Sequence, residues 1–240
     1  MEQKGSSERI AVRRRERSIL ENSLIVVSFA GLHVILRYVV QLAIAAEFGA
    51  GQEVDAYLAA LAVPETISLV ILSVVSVTLV PILVEYERKS EEEEVWHIAS
   101  SFLNLATIAL FSIAFLGVTS APLLVRLTAP GFRGETLAMT VILARMLFLT
   151  TAFSSLAGIL SNIFYARRSF FWPSLVPVLG TAINLAIILS LASRAGIKVV
   201  VMGLGVSAIL QLVTLSLLIL KGRYHPSLDL RHPGIKRILV

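Results

Sequence analysis

The chain has 240 residues, 56% hydrophobic and 15% charged, with no cysteine and a net charge of +5. A soluble domain carries roughly 25% charged residues, so the composition excludes an ordinary water-soluble globule, and the absence of cysteine excludes a disulfide framework and thiol chemistry. The basic excess is not a nucleic-acid footprint, because Lys and Arg sit beside apolar runs, where they set membrane orientation; no nucleic-acid partner is expected.

The first residues, MEQKGSSERIAVRRRERS, look like the charged region of a signal peptide. The apolar segment behind them is longer than the roughly 7–15 residues of a signal core. Residues 1–21 therefore read as a basic cytoplasmic leader to an uncleaved first span. Six spans follow, at approximately 22–46, 56–84, 97–124, 137–164, 170–192 and 199–220, and a basic cytoplasmic tail occupies 221–240. Ile98–Val125, Ser169–Ser193 and Val199–Leu220 hold no Asp, Glu, Lys or Arg over 28, 25 and 22 residues. About 18 such residues suffice to nominate a transmembrane helix. The predicted fold class is an all-α polytopic membrane protein with six transmembrane helices.

Between the first two spans lies a glycine-rich acidic turn, within AEFGAGQEVDAYLAALAVPE at 46–65. The second span is long, and from Tyr57 to Val84 its only charge is Glu65. Such a helix exceeds the ~30 Å hydrocarbon core and must tilt, kink or project; Pro64 and Pro81 are the expected bends. The acidic run in ERKSEEEEVWH reads as a solvated start to the third helix, favoured by the helix dipole. FFWPS at 170–174 reads as an interfacial aromatic belt. With the N-terminus inside, the inner segments hold 15 Lys and Arg residues and the outer loops 4. That bias places both termini in the cytoplasm.

Ionisable groups within spans cost about 2.5–3.5 kcal/mol each on insertion scales and usually face protein or water. His33 and Arg37, four apart on the first span, share a face. Glu65 lies near the start of the second span and Arg145 in the outer half of the fourth. Together they are candidates to line one water-filled cavity. Arg37 and Arg145 would hold an anionic substrate through planar guanidinium forks, with Glu65 as counter-ion or proton carrier. The structural alternative pairs Arg37 with Glu65 and lets Arg145 snorkel to the interface. Asn104, Asn162 and Asn184 read as interhelical glue, and GLGVSA at 203–208 as small residues for close helix packing.

No enzyme constellation is visible. The four histidines are scattered without metal-ligand spacing, and neither a nucleophile elbow nor a phosphate loop is present. No catalytic activity, cofactor or metal is expected.

Several local patterns combine into a resemblance. FGAGQEVDAYLAALAVPE resembles the loop between the first two helices of the MurJ/MviN-type lipid II flippases, with Phe48, Gly49, Ala50, Asp55, Ala56, Tyr57 and Pro64 at the matching positions. LVPILVEY at 79–86, TAPGF at 128–132, LARMLF at 143–148, and GILSN followed by FFWPSLVPVL resemble later stretches of that family in the same order. The resemblance covers roughly residues 20–240. It implies one lobe of a MATE-like fold in the bacterial cytoplasmic membrane, with a cationic central cavity for a polyprenyl-diphosphate-linked glycan. It also places Asp55 near the outer gate. The chain departs from the family at Val40-Gln41, where an Arg-Asp pair is usual. It departs again at ETISLVILSV, 65–74, which lacks the basic residues implied in headgroup contact.

The expected function is translocation of a cell-wall precursor such as lipid II by alternating access, with the lipid tail left in the bilayer. Expected partners are that lipid-linked glycan, membrane lipids, and a second lobe or an identical chain to complete the cavity. HPGIKRILV, 232–240, resembles a lead-in to a seventh helix, so the chain is expected to be a fragment, a split half or half of a homodimer. The alternatives are export of another lipid-linked oligosaccharide and a non-transporting membrane scaffold.

Overall fold

The computed structural model describes residues 2–89 and 92–220, with side chains described for Leu20 and from Ser23 onward. The expected cytoplasmic tail at 221–240 lies outside the described residues. Six helices follow one another: α1 (Glu2–Phe48), α2 (Gln52–Arg88), α3 (Glu92–Thr128), α4 (Gly134–Ala166), α5 (Phe171–Ala195) and α6 (Lys198–Leu220). All six contain a stretch long and apolar enough to cross a membrane; in α1 it is Ser23–Phe48. The helix containing that stretch begins at Glu2, so the leader is a continuation of α1 rather than a separate segment.

Helices α2, α3 and α4 extend beyond their expected spans at both ends. The loops are correspondingly tight. Gly49 joins α1 to α2 at φ 63°, and Gly134 starts α4 at φ 56°, backbone conformations that glycine adopts without a Cβ penalty. Pro64 and Pro81 lie within α2, which continues through both.

Helix α4 is the axis of the bundle and packs on α2, α3 and α6. Helix α1 leans on α5 and barely touches α2, although the two are consecutive. Two apolar cores result. One gathers Leu79, Leu83, Ile98, Leu156 and Ile159 towards the α2–α3 turn. The other gathers Ala56, Ala60, Leu143, Leu147, Ile188 and Val200 towards the α1–α2 turn.

Lipid is as apolar as leucine, so helix association in a bilayer depends on close packing and polar contacts. Glycines supply the close approaches. A Cβ at Gly117 would enter the ring of Phe148, one at Gly203 would meet Asn184 Oδ1, and one at Gly158 would come within 2.7 Å of Leu72. Polar contacts add to them: Ser68 meets Ser155 at 2.9 Å between α2 and α4, and Ser76 donates to Asn162 Oδ1 at 3.4 Å. Ser207 donates to the carbonyl of Gly180 between α6 and α5.

Candidate functional site

The splay of α1 from α2 leaves a groove of about 330 Å³, lined by five of the six helices. Each contributes a stripe at helical spacing. From α1 come His33, Arg37 and Gln41; from α2 Tyr57, Leu61, Glu65 and Ser68; from α4 Leu147, Thr150, Thr151 and Ser154. Helix α5 adds Thr181 and Asn184, and α6 adds Leu204, Ser207, Ala208 and Gln211. Only α3 is absent from the lining. Among its polar groups hydroxyls and amides prevail, with one guanidinium and one carboxylate.

His33 anchors α1 to α5: its Nε2 lies 3.0 Å from Thr181 Oγ1, which gives its proton to the Pro177 carbonyl at 3.0 Å. A hydroxyl has a single proton to donate, so Thr181 accepts from His33 and the imidazole carries hydrogen on Nε2. One turn further, Arg37 is exposed on the groove side. No ion pair joins Arg37 to Glu65 among the described residues, contrary to the structural alternative, so the guanidinium remains available to an anion.

Three of the five predicted site residues, His33, Arg37 and Glu65, therefore meet in one groove. Asp55 and Arg145 do not. Asp55 is exposed in the first turn of α2, where its carboxylate faces the positive end of the helix dipole. Arg145 is nine positions from Ser154, two and a half turns of helix, and so lies on the opposite side of α4 from the groove. Its Nε donates to the Val118 carbonyl at 3.3 Å. That carbonyl has no helical partner, because the residue four positions on is Pro122, which lacks an N–H. Arg145 is thus a cap for the proline gap in α3 rather than a wall of the cavity.

The acidic start of α3 also differs from a merely solvated face. Glu92 accepts from Arg167 at 3.1 Å, Glu87 lies 3.9 Å from the same guanidinium, and Arg167 stacks 4.4 Å over the ring of Trp96. This node ties the α2–α3 turn to the α4–α5 turn. Nearby, Phe171 and Trp172 are exposed and pack edge to face.

A six-helix membrane bundle whose polar stripes converge on one groove has the architecture of one lobe of a MATE-like fold. Two solved structures share the fold. The lipid II flippase MurJ in an inward closed conformation matches with a TM-score of 0.70 and 22% identity, over 92% of this chain and 46% of that one. A MOP superfamily transporter from Pyrococcus furiosus, for which reverse polarity of the binding pocket suggests a different function, matches with a TM-score of 0.69 and 20% identity, over 91% of this chain and 50% of that one.

The family model described as lipid II flippase MurJ matches residues 44–240, and the chain belongs to that family, one of transporters rather than of enzymes. Among curated relatives, the lipid II flippase MurJ of Burkholderia cenocepacia is 29% identical over 82% of this chain and 40% of its own length. The probable lipid II flippase MurJ of Buchnera aphidicola is 27% identical over 64% of this chain and 30% of its own. The chain thus spans well under half the length of the curated relatives it matches. Six apolar helices and this family membership make it a multi-pass inner-membrane protein.

Proposed function

We propose that this chain forms one lobe of a flippase that carries a polyprenyl-diphosphate-linked cell-wall precursor, such as lipid II, across the membrane by alternating access. The observation that carries the reading is the groove lined by Arg37, which forms no ion pair among the described residues. A guanidinium offers a planar donor fork to diphosphate oxygens. The Ser, Thr, Asn and Gln side chains around it suit sugar hydroxyls, and Glu65 balances the cation when the cavity is empty. The groove is at the lower end of the roughly 300–1,000 Å³ usual for ligand pockets, so it holds part of a glycan headgroup. A second six-helix bundle, covalently joined or from an identical chain, supplies the opposite wall, and rocking of the two exposes the cavity to each side in turn. The 15-to-4 distribution of basic residues supports cytoplasmic termini.

The test is expression in cells whose own lipid II flippase is switched off, with lipid II at the outer leaflet as readout and binding of lipid II to the purified chain measured in parallel. Restored translocation, or binding that Arg37→Ala weakens about tenfold, supports the reading. A well-inserted chain that neither rescues nor prefers lipid II to undecaprenyl phosphate overturns it in favour of another lipid-linked glycan or a scaffold.

A further inference from the structure

Arg145 is a membrane-embedded cation that the transport groove does not use. Its Cα lies about 16 Å along α4 from Gly134 at 1.5 Å per residue, in a helix of 33 residues. At that length α4 reaches about 50 Å and overhangs a ~30 Å core at both ends. A bilayer centred on the helix would put Arg145 several ångströms inside the hydrocarbon, on the Gly134 side. Ile142 and Leu149, three before and four after, share its face and are exposed, as are Phe115 and Leu116 on α3. The surface around it is therefore one that lipid covers.

Among the described residues only Nε is used by the protein, on the Val118 carbonyl. Among the described residues no carboxylate comes within ion-pair distance of Arg145. An exposed guanidinium at this depth is costly unless it finds an acceptor, and the acceptor a bilayer offers is a lipid phosphate. Side chains on a helix lean towards its N-terminus, so Arg145 leans towards the Gly134 end and the headgroup layer of that leaflet. With Nε bonded to α3, the Nη1 and Nη2 groups of this exposed residue remain as a donor pair. A planar pair of N–H groups matches two phosphate oxygens better than a point charge does.

We propose that Arg145 is a binding site for the phosphate of a membrane glycerophospholipid on the back face of the lobe. The lipid sits between α3 and the exposed side of α4, with its phosphate on the guanidinium and its acyl chains along Ile142, Leu149 and Phe115. This site is independent of the groove and of what the groove carries.

The experiment is native mass spectrometry of the full chain in mild detergent, titrated with phosphatidylglycerol or with a neutral glucosyl-diacylglycerol of the same acyl chains. The expected result is about a tenfold preference for the phosphate lipid, the size of one charge-assisted contact, lost in Arg145→Gln. Because that variant also uncaps Val118, the comparison is repeated in Pro122→Ala, which restores the helical N–H and removes the need for a cap. In that background Arg145→Gln should unfold like its parent and still lose the preference. Equal affinity for both lipids in the native chain, or a preference that survives Arg145→Gln in Pro122→Ala, overturns the proposal and leaves Arg145 as a cap alone.

Discussion

His33 on α1 and Thr181 on α5 lie 3.0 Å apart across the edge of the groove. The bond fixes the rotation of α1 about its own axis. Arg37, four residues on, then points inward. Thr181→Val removes the acceptor, leaves His33 unpaired and lets α1 turn on α5. Headgroup binding should fall several-fold, less than for Arg37→Ala, with about 1 kcal/mol of stability lost, the size of one neutral hydrogen bond. A binding titration with a thermal unfolding scan checks both. Unchanged affinity would mean that the apolar α1–α5 contact alone sets the rotation.

The groove tests charge against geometry. Arg37→Lys keeps the cation but loses the fork, so affinity for a diphosphate headgroup should fall several-fold rather than vanish. Glu65→Gln removes the carboxylate that competes with an anionic ligand and should tighten binding while slowing release. Titration of the purified variants with lipid II reads the first effect, and dissociation rates read the second. Weaker binding in Glu65→Gln would show instead that the carboxylate contacts the ligand directly.

Part of this arrangement is legible in the chain and part is not. Six apolar runs define six helices, and His33 and Arg37 announce a polar stripe because charges interrupt an apolar run at a spacing of four. Thr150, Thr151, Ser154 and Thr181 line the same groove but leave no such mark, since hydroxyls satisfied by their own helix are tolerated anywhere in a span; Thr181, for one, bonds Pro177. Arg145 shows the opposite failure. Its depth is visible in the sequence, but which side of α4 faces the groove depends on how α2, α3 and α6 surround that helix. Its partnership with Val118 follows from a proline in another helix. Glu92 likewise looks solvated until the chain brings Arg167 to it from 75 residues away.

Close packing at glycine makes a sharper prediction about stability. The Cβ of Gly203→Ala would meet Asn184 Oδ1, a buried oxygen without a hydrogen-bond partner among the described residues. In Gly117→Ala it would enter the Phe148 ring. Alanine favours a helix by about 1 kcal/mol over glycine, yet both variants should be less stable, by about 1–3 kcal/mol for overpacking. Gly31, where a Cβ meets nothing within 4 Å, is the control and should gain stability on substitution. Unfolding in mixed micelles separates the three.

The Arg167 node makes the turn at the Trp96 end a test of connectivity. Arg167→Ala removes the cation from the Trp96 face and both carboxylate contacts. A partly exposed cation–π contact contributes about 0.5–1 kcal/mol and an exposed ion pair up to about 1, so about 1–2 kcal/mol should be lost. The α4–α5 turn should also become sensitive to protease in membrane vesicles. Arg167→Lys keeps a charge but not the flat stacking surface and should fall between the two.

Arg168 closes α4 with φ 58°. Its N–H bonds the Tyr165 carbonyl at 3.0 Å, while that of Ser169 bonds the Phe164 carbonyl at 2.9 Å. That pair of bonds is the Schellman ending, in which the left-handed position is ordinarily glycine. An arginine there carries the steric penalty of its Cβ, about 1–2 kcal/mol for an L-residue in this region. Arg168→Gly should therefore stabilise the folded chain by up to about 1 kcal/mol, the relief of strain being partly offset by glycine's greater freedom when unfolded. It should do so without touching the groove, which Arg168 does not line. The same change removes a basic residue from the α4–α5 turn, so insertion should be followed with an accessibility tag at the N-terminus. A more stable, correctly oriented variant would show that the arginine is kept for its charge at the membrane surface, whereas a less stable one would show that its side chain makes up for its backbone.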